Sequence, residues 1–199
     1  MLTVLEKYYP VSVMSAIIAN HLRVDEMDGE LFEHAKMCVI NAFEAAEDYT
    51  NRVIVESKVS IALDTLEDSI IELPSAPVRE VSEVRYMGAD DEWHTLTDYT
   101  LVSNNRRAIL ELRTMPTLST TRSTGRVVIE AMVGYEDYPG DRAKATSPNT
   151  LPGGIEQAIM LMAGTFFEFT GDVVMGGSTE IPASAKSLLY PYRIHPYGS

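Results

Sequence analysis

The chain has 199 residues, with 29 acidic side chains against 16 basic ones and a formal net charge of −13. Its length suits one domain or two small ones, and its 45% hydrophobic and 23% charged content excludes disordered and collagen-like classes. The apolar runs are far too short for a membrane-spanning helix, the opening residues lack the pattern of a secretory leader, and a single cysteine, Cys38, excludes an internal disulfide framework or a cysteine-rich zinc site. The charge is unevenly placed. Residues 1–50 carry nine acids and three bases (−6), and residues 51–100 carry eleven and four (−7). The remaining residues nearly balance, so the first hundred hold the whole imbalance. Clamping nucleic-acid phosphates takes Lys and Arg in number, and this half of the chain offers the opposite.

The first 52 residues read as helical. Ser12 is placed to cap a short helix with an apolar face of Val13, Met14, Ile17 and Ile18. The acidic stretch Asp25, Glu26, Met27, Asp28, Gly29, Glu30 then connects to a second helix. Asp28 is its expected cap, and Glu30 and Glu33 lie where the helix dipole favours negative charge. From Leu31 to about Thr50, Phe32, Ala35, Val39, Ala42, Phe43 and Ala46 follow a period near 3.6 residues.

At Asn51 the pattern changes. The β-branched run Val53–Leu63 predicts a long strand, and Ile70–Leu73 a short one. Pro74 and Pro77 bracket a loop, because neither can donate to a sheet ladder. Val78, Val81, Val84 and Tyr86 form another strand, with uneven spacing that suggests a bulge. After a turn over 88–92, Trp93, Leu96, Tyr99 and Leu101 return as a hairpin. Ala108–Leu112 and Arg126–Val133 supply two more strands. Residues 53–134 are therefore expected to form a small antiparallel β-sandwich or barrel. A loop over 135–149 follows. A third helix starts near Gly154, with Ile155, Ala158, Ile159, Met162, Ala163, Phe166 and Phe167 at helical spacing and Gly171 at its end. Gly176 and Gly177 read as a hinge. The closing residues 181–199, with Tyr190, Pro191, Tyr192, Arg193, His195, Pro196 and Tyr197, read as an extended arm, since prolines oppose a helix. The fold class is α+β: a helical core from 1–52 and 150–180, an inserted β domain, and a C-terminal arm.

Motifs for chemistry are sparse. The four histidines, at 21, 34, 94 and 195, show no metal-ligand spacing, and no metal or cofactor is expected. Gly176-Gly177-Ser178 lacks the strand and lysine of a phosphate cradle. Cys38 lies on the apolar side of the second helix, where a free cysteine is a small core residue. The paired carboxylates fall in turns or on polar helix faces, without the desolvation that acid–base work needs. Arg106, Arg107, Arg113, Arg122 and Arg126 cluster only modestly. The aromatic tail stands apart, because Tyr and Arg are enriched at interface hot spots.

The order of segments resembles the head–tail connector (adaptor) proteins of long-tailed bacteriophages, in the larger variety with an inserted β unit. The resemblance is carried by Val11-Ser12-Val13-Met14 with His21-Leu22-Arg23-Val24-Asp25, and by Ala45-Ala46-Glu47-Asp48-Tyr49-Thr50-Asn51-Arg52-Val53-Ile54. It continues through Ile71-Glu72-Leu73-Pro74-Ser75-Ala76-Pro77-Val78, Val133-Gly134-Tyr135, Leu151-Pro152 ahead of Ile155-Glu156-Gln157-Ala158-Ile159, and Leu188-Leu189-Tyr190-Pro191-Tyr192-Arg193. Asn51 stands where the family usually has a turn glycine, and still tolerates a left-handed conformation.

The resemblance implies a virion structural protein, not an enzyme, made in the host cytoplasm and located at the neck. Such proteins form a homo-oligomeric ring, commonly of twelve copies, that docks on the portal protein. The ring extends the channel through which double-stranded DNA passes without specific binding, and gives stopper or tail proteins a platform. No membrane is involved. The implied portal-contacting arm comprises Ile181, Leu188, Leu189, Tyr190, Tyr192, Arg193, Ile194 and Tyr197. Asp25, Glu26, Asp28, Glu30 and Glu33 are the candidate channel-facing acids. The alternative within virion proteins is a head-closure (stopper), tail-completion or tail-terminator ring. A soluble enzyme or ligand-binding module would need a pocket with convergent polar groups, and the sequence shows none.

Overall fold

The alternation Val127, Ile129, Ala131, Val133 marks a strand with one fully buried face, and that strand sits at the middle of a sheet. A computed structural model describes residues 1–75, 77–104, 107–137, 150–168 and 181–194. The chain divides into two compact units, residues 1–8 with 55–135 and residues 9–54 with 136–199.

The first unit is built of antiparallel strands: β1 (Leu2–Tyr8), β2 (Glu56–Leu63), β3 (Ile70–Glu72), β4 (Val78–Met87), β5 (Trp93–Thr95), β6 (Tyr99–Ser103), β7 (Ala108–Leu112) and β8 (Val127–Val133). One sheet runs β1-β2-β8-β4-β5, and a second runs β3-β7-β6. Register places Val59 opposite Ala131 and Ile61 opposite Ile129, with Val84 on the other side of Ile129. All five side chains are buried, as are Ile71, Leu110 and Leu112 of the smaller sheet. The sheets are joined by the Val78 N–H, which donates to Ser103 Oγ (2.9 Å), and by the Tyr99 hydroxyl, which donates to the Val81 carbonyl (3.4 Å). Both sheets are open, so the barrel alternative is not realised. Short edge strands at β3 and β5 leave too little ladder to close one. The uneven apolar spacing of β4 is accounted for by register shifts between Val78 and Glu80 and between Val81 and Glu83.

The second unit is helical: α1 (Val11–Ala16) continues as a π-helical stretch over Ile17–Leu22, followed by α2 (Glu30–Thr50), α3 (Gly153–Glu168) and α4 (Ala183–Leu189). α2 packs on α3 through Ala35, Val39, Ala42, Phe43 and Ala46 on one side and Ile155, Ala158, Ile159 and Met162 on the other, and α3 packs on α4. Small alanines along α2 let the helix axes approach closely.

Four local expectations are corrected. Residues 2–8 form a strand paired with β2, not part of a helical opening. Pro10, not Ser12, precedes α1, and Ser12 donates from its N–H and hydroxyl to Asp137. Asp28 caps no long helix. It closes a capping box with Asp25 around the single turn Glu26–Asp28, and Gly29 precedes α2. Finally, residues 183–192 are helical and not extended. Pro182 sits at the N-cap of α4, and Pro191 lies in the first turn of a short 3₁₀ helix (Tyr190–Tyr192), positions where a missing N–H costs nothing.

Ile129 is fully buried between two paired strands. Ile129→Ala is expected to destabilise the sheet unit by about 2–5 kcal/mol. Urea unfolding followed by the fluorescence of Trp93, the sole tryptophan, reads this directly. A loss below about 1 kcal/mol contradicts the placement of Ile129 at the core.

Candidate functional site

The longest helix ends at a left-handed residue. Asn51 has φ of 51°, a conformation that asparagine tolerates better than most residues, and its N–H bonds back to the Glu47 carbonyl. The turn sends Arg52 inward, where it is 5% exposed. Arg52 Nε donates to the Tyr192 carbonyl (2.9 Å), and the Ile194 N–H donates to the Thr50 carbonyl (2.8 Å). Asn51 Nδ2 donates to the Ile194 carbonyl (3.4 Å), and the Arg193 guanidinium lies 5.5 Å from the Tyr49 ring centre. A Cβ added at Gly154 would lie 3.0 Å from the Tyr192 hydroxyl oxygen, so the absence of a side chain there seats this tyrosine on α3.

The segment expected to be an extended arm is therefore docked on the helical unit. Ala185 and Leu189 are buried, and Ile181, Leu188, Tyr192 and Ile194 are half-buried. Tyr190, 61% exposed, and Arg193 are its exposed members. Gly176 and Gly177, expected as a hinge, and Tyr197 lie outside the described residues, as do Arg106, Gly171 and residues 138–149.

The acidic candidates come together at the other end of α2. Asp25, Glu26, Asp28, Glu30 and Glu33 are all exposed, and Glu33 pairs with Lys36 at 3.7 Å. Asp25 and Glu26 line a groove of about 500 Å³ together with Ser15, Ile18, Arg23, Val24, Met27 and Phe32. Glu44 and Asp48 continue the exposed acidic side along α2.

Groups with catalytic potential are otherwise engaged. Cys38 Sγ lies 3.6 Å from His34 Nε2, but burial pushes the thiol pKa up, opposite to what a nucleophile needs. Burial and a hydrogen bond to Glu44 (3.1 Å) push Tyr9 up to about 12. The hydrogen bond from His94 Nε2, 2.9 Å away, is the main cause that holds the Asp90 carboxyl below its ordinary value, with a lesser contribution from the Glu92 N–H. Among the described residues, no three His, Cys, Asp or Glu side chains gather so as to hold a metal ion. Nor is any helix there long and apolar enough to cross a membrane.

One constellation was missed in the sequence because its members are far apart. Arg85 on β4 and Arg122 in the loop before β8 both lie over the Trp93 ring, with guanidinium carbons 5.9 and 5.5 Å from its centre. Ser119 Oγ accepts from the N–H groups of Thr121 and Arg122, and Arg122 Nε donates to the Thr124 carbonyl (2.8 Å), which fixes the loop. Gly88 permits the adjoining turn, since a Cβ there would lie 2.7 Å from Asp90 Oδ1.

No protein-family model and no curated protein sequence matches the chain. Solved structures do. Matching chains occur in the neck of an empty gene transfer agent (GTA) particle computed with C6 symmetry (TM-score 0.74), in the virion of the native GTA particle (0.72) and in the neck of the native particle computed with C12 symmetry (0.67). Each is 22% identical, and each match covers 100% of this chain and 98% of the other. The likeness is one of fold, and it spans both units.

Arg52→Ala removes the charged donor to the Tyr192 carbonyl. It is expected to weaken docking of residues 190–194 by about 1.5–3 kcal/mol. Hydrogen exchange at the Ile194 amide should then rise while amides within α2 and α3 stay protected. Unchanged Ile194 exchange contradicts the docking role of Arg52.

Proposed function

We propose that the chain is a structural protein of the neck of a phage-like particle: a head–tail connector (adaptor) that forms a ring and docks on the portal. The ring extends the DNA channel and carries stopper or tail proteins. The observation that carries this reading is the end-to-end match of both units to chains of GTA neck and virion assemblies. Twelve copies are compatible with both symmetries under which those necks were computed, which favours a dodecamer. A head-closure or tail-terminator ring of six is the second reading, favoured by the C6 assembly taken alone.

In this reading the C-terminal segment meets the portal through its exposed members, Tyr190 and Arg193. Ala185 and Leu189 anchor it to α3, and Arg52 holds its backbone. The acids Asp25, Glu26, Asp28, Glu30 and Glu33 face passing DNA, so that like charge keeps phosphates from adhering. DNA is a passenger and not a ligand.

Two substitutions test the parts separately. Tyr190→Ala with Arg193→Ala leaves the buried anchors in place, and is expected to weaken binding to purified portal at least tenfold. Binding equal to wild type contradicts the portal assignment. Glu26→Gln, Glu30→Gln and Glu33→Gln together spare the Asp25–Asp28 capping box. In assembled particles this variant should slow DNA ejection or retain DNA, and unchanged ejection removes these acids from the channel.

A further inference from the structure

The closing segment is held by contacts that every copy of this chain offers equally. Tyr192 is seated against Gly154 in the first turn of α3, so α4 and the residues after it run back along α3 from its end toward its start. The receiving side consists of Arg52 Nε, the Thr50 carbonyl, Asn51 Nδ2 and the space over Gly154. The first three of these grip main-chain atoms of Tyr192 and Ile194, and Ala185 and Leu189 supply the buried side chains. The connection that delivers the segment is longer than this docking needs. Packed neighbouring helices are joined by about 2–8 residues, whereas fourteen residues, 169–182, separate α3 from α4. At about 3.3 Å per residue they reach up to about 45 Å, more than the roughly 30 Å length of α2.

We propose that in the ring this segment is exchanged: residues 183–194 of one copy dock on Arg52, Thr50 and Gly154 of the next. This deepens the ring reading above and rests on it. The occupant is a second copy because the site fits this segment, main chain and side chains together, and another copy supplies the same segment on a connection long enough to arrive. An exchanged element keeps the contacts it makes within one chain, so exchange between neighbours loses no packing. Passed from each copy to the next in one direction, the contact is head to tail and closes into a ring when the rotation between copies divides a full turn. A reciprocal exchange would stop at a dimer. All the groups involved belong to the helical unit, so the contact requires no particular placement of the sheet unit.

The test uses the full chain carrying Tyr49→Cys and Arg193→Cys, positions whose side chains meet in the docked segment, joined by a short bis-maleimide in assembled particles. The native Cys38 is buried, and the wild-type chain serves as the control. The expected result is a ladder of products beyond the dimer, with cross-links between chains at least tenfold more abundant than cross-links within one. A second variant, with residues 171–180 deleted, keeps a four-residue connection that confines the segment to its own chain. It should fold and protect its Ile194 amide from hydrogen exchange, yet build no ring. Internal cross-links alone, dimers and nothing larger, or a shortened chain that still builds rings would each overturn the proposal. Rings in the neck that carry only internal cross-links refute the exchange and leave the ring reading standing. Particles in which the chain forms no ring refute the ring reading, and the exchange with it.

Discussion

Burying a guanidinium is costly unless its donors find partners, and Arg52 meets that demand with a main-chain carbonyl 140 residues further along the chain. The consequence is topological. The end of α2, the start of α3 and the closing segment are drawn to one place by Arg52, by the Thr50 carbonyl and by the gap that Gly154 leaves for Tyr192. Asn51 makes this geometry available, since only a left-handed residue turns the chain sharply enough after α2 for the next side chain to point inward. The closing segment is therefore part of the helical unit's packing, and a partner meets its outer side, not a loose strand.

Electrostatics divide the surface in a way the net charge hides. The helical unit shows acids along the exposed side of α2 and in the turn before it, far more numerous than the bases nearby. The sheet unit instead places its arginines in specific pairings: Arg79 with Glu56, Arg107 with Glu72, and Arg85 and Arg122 against Trp93. Exposed ion pairs contribute little to stability. The helical unit thus gathers exposed acids along one helix, whereas the sheet unit pairs many of its charges.

The parts of the fold legible from sequence were those with a strong internal period. α2 and α3 declared themselves by buried residues three and four apart, β8 by strict alternation, and the bulged β4 by its irregular valine spacing. β1 was not legible, because nearly all its side chains are exposed and its strand character comes from pairing with β2. The tail is helical despite its prolines, because a proline opposes a helix only in its interior. Pro182 stands at an N-cap and Pro191 in a first turn, positions where no helical N–H is missed. The Arg85–Trp93–Arg122 cluster cannot be found by spacing, since two strands and a loop bring it together. For the candidate site, residue types in the tail are informative, while which of them are buried anchors and which are exposed depends on the packing of α4 on α3.

The account stands or falls on the assembly in which the chain works. Reconstruction of the particle neck, with this protein identified by an appended label, measures both location and copy number. The account predicts a ring of twelve copies at the neck, with residues 190–193 turned toward the portal and the acidic side of α2 toward the DNA path. Density for the label outside the neck, or copies that form no ring, would contradict it.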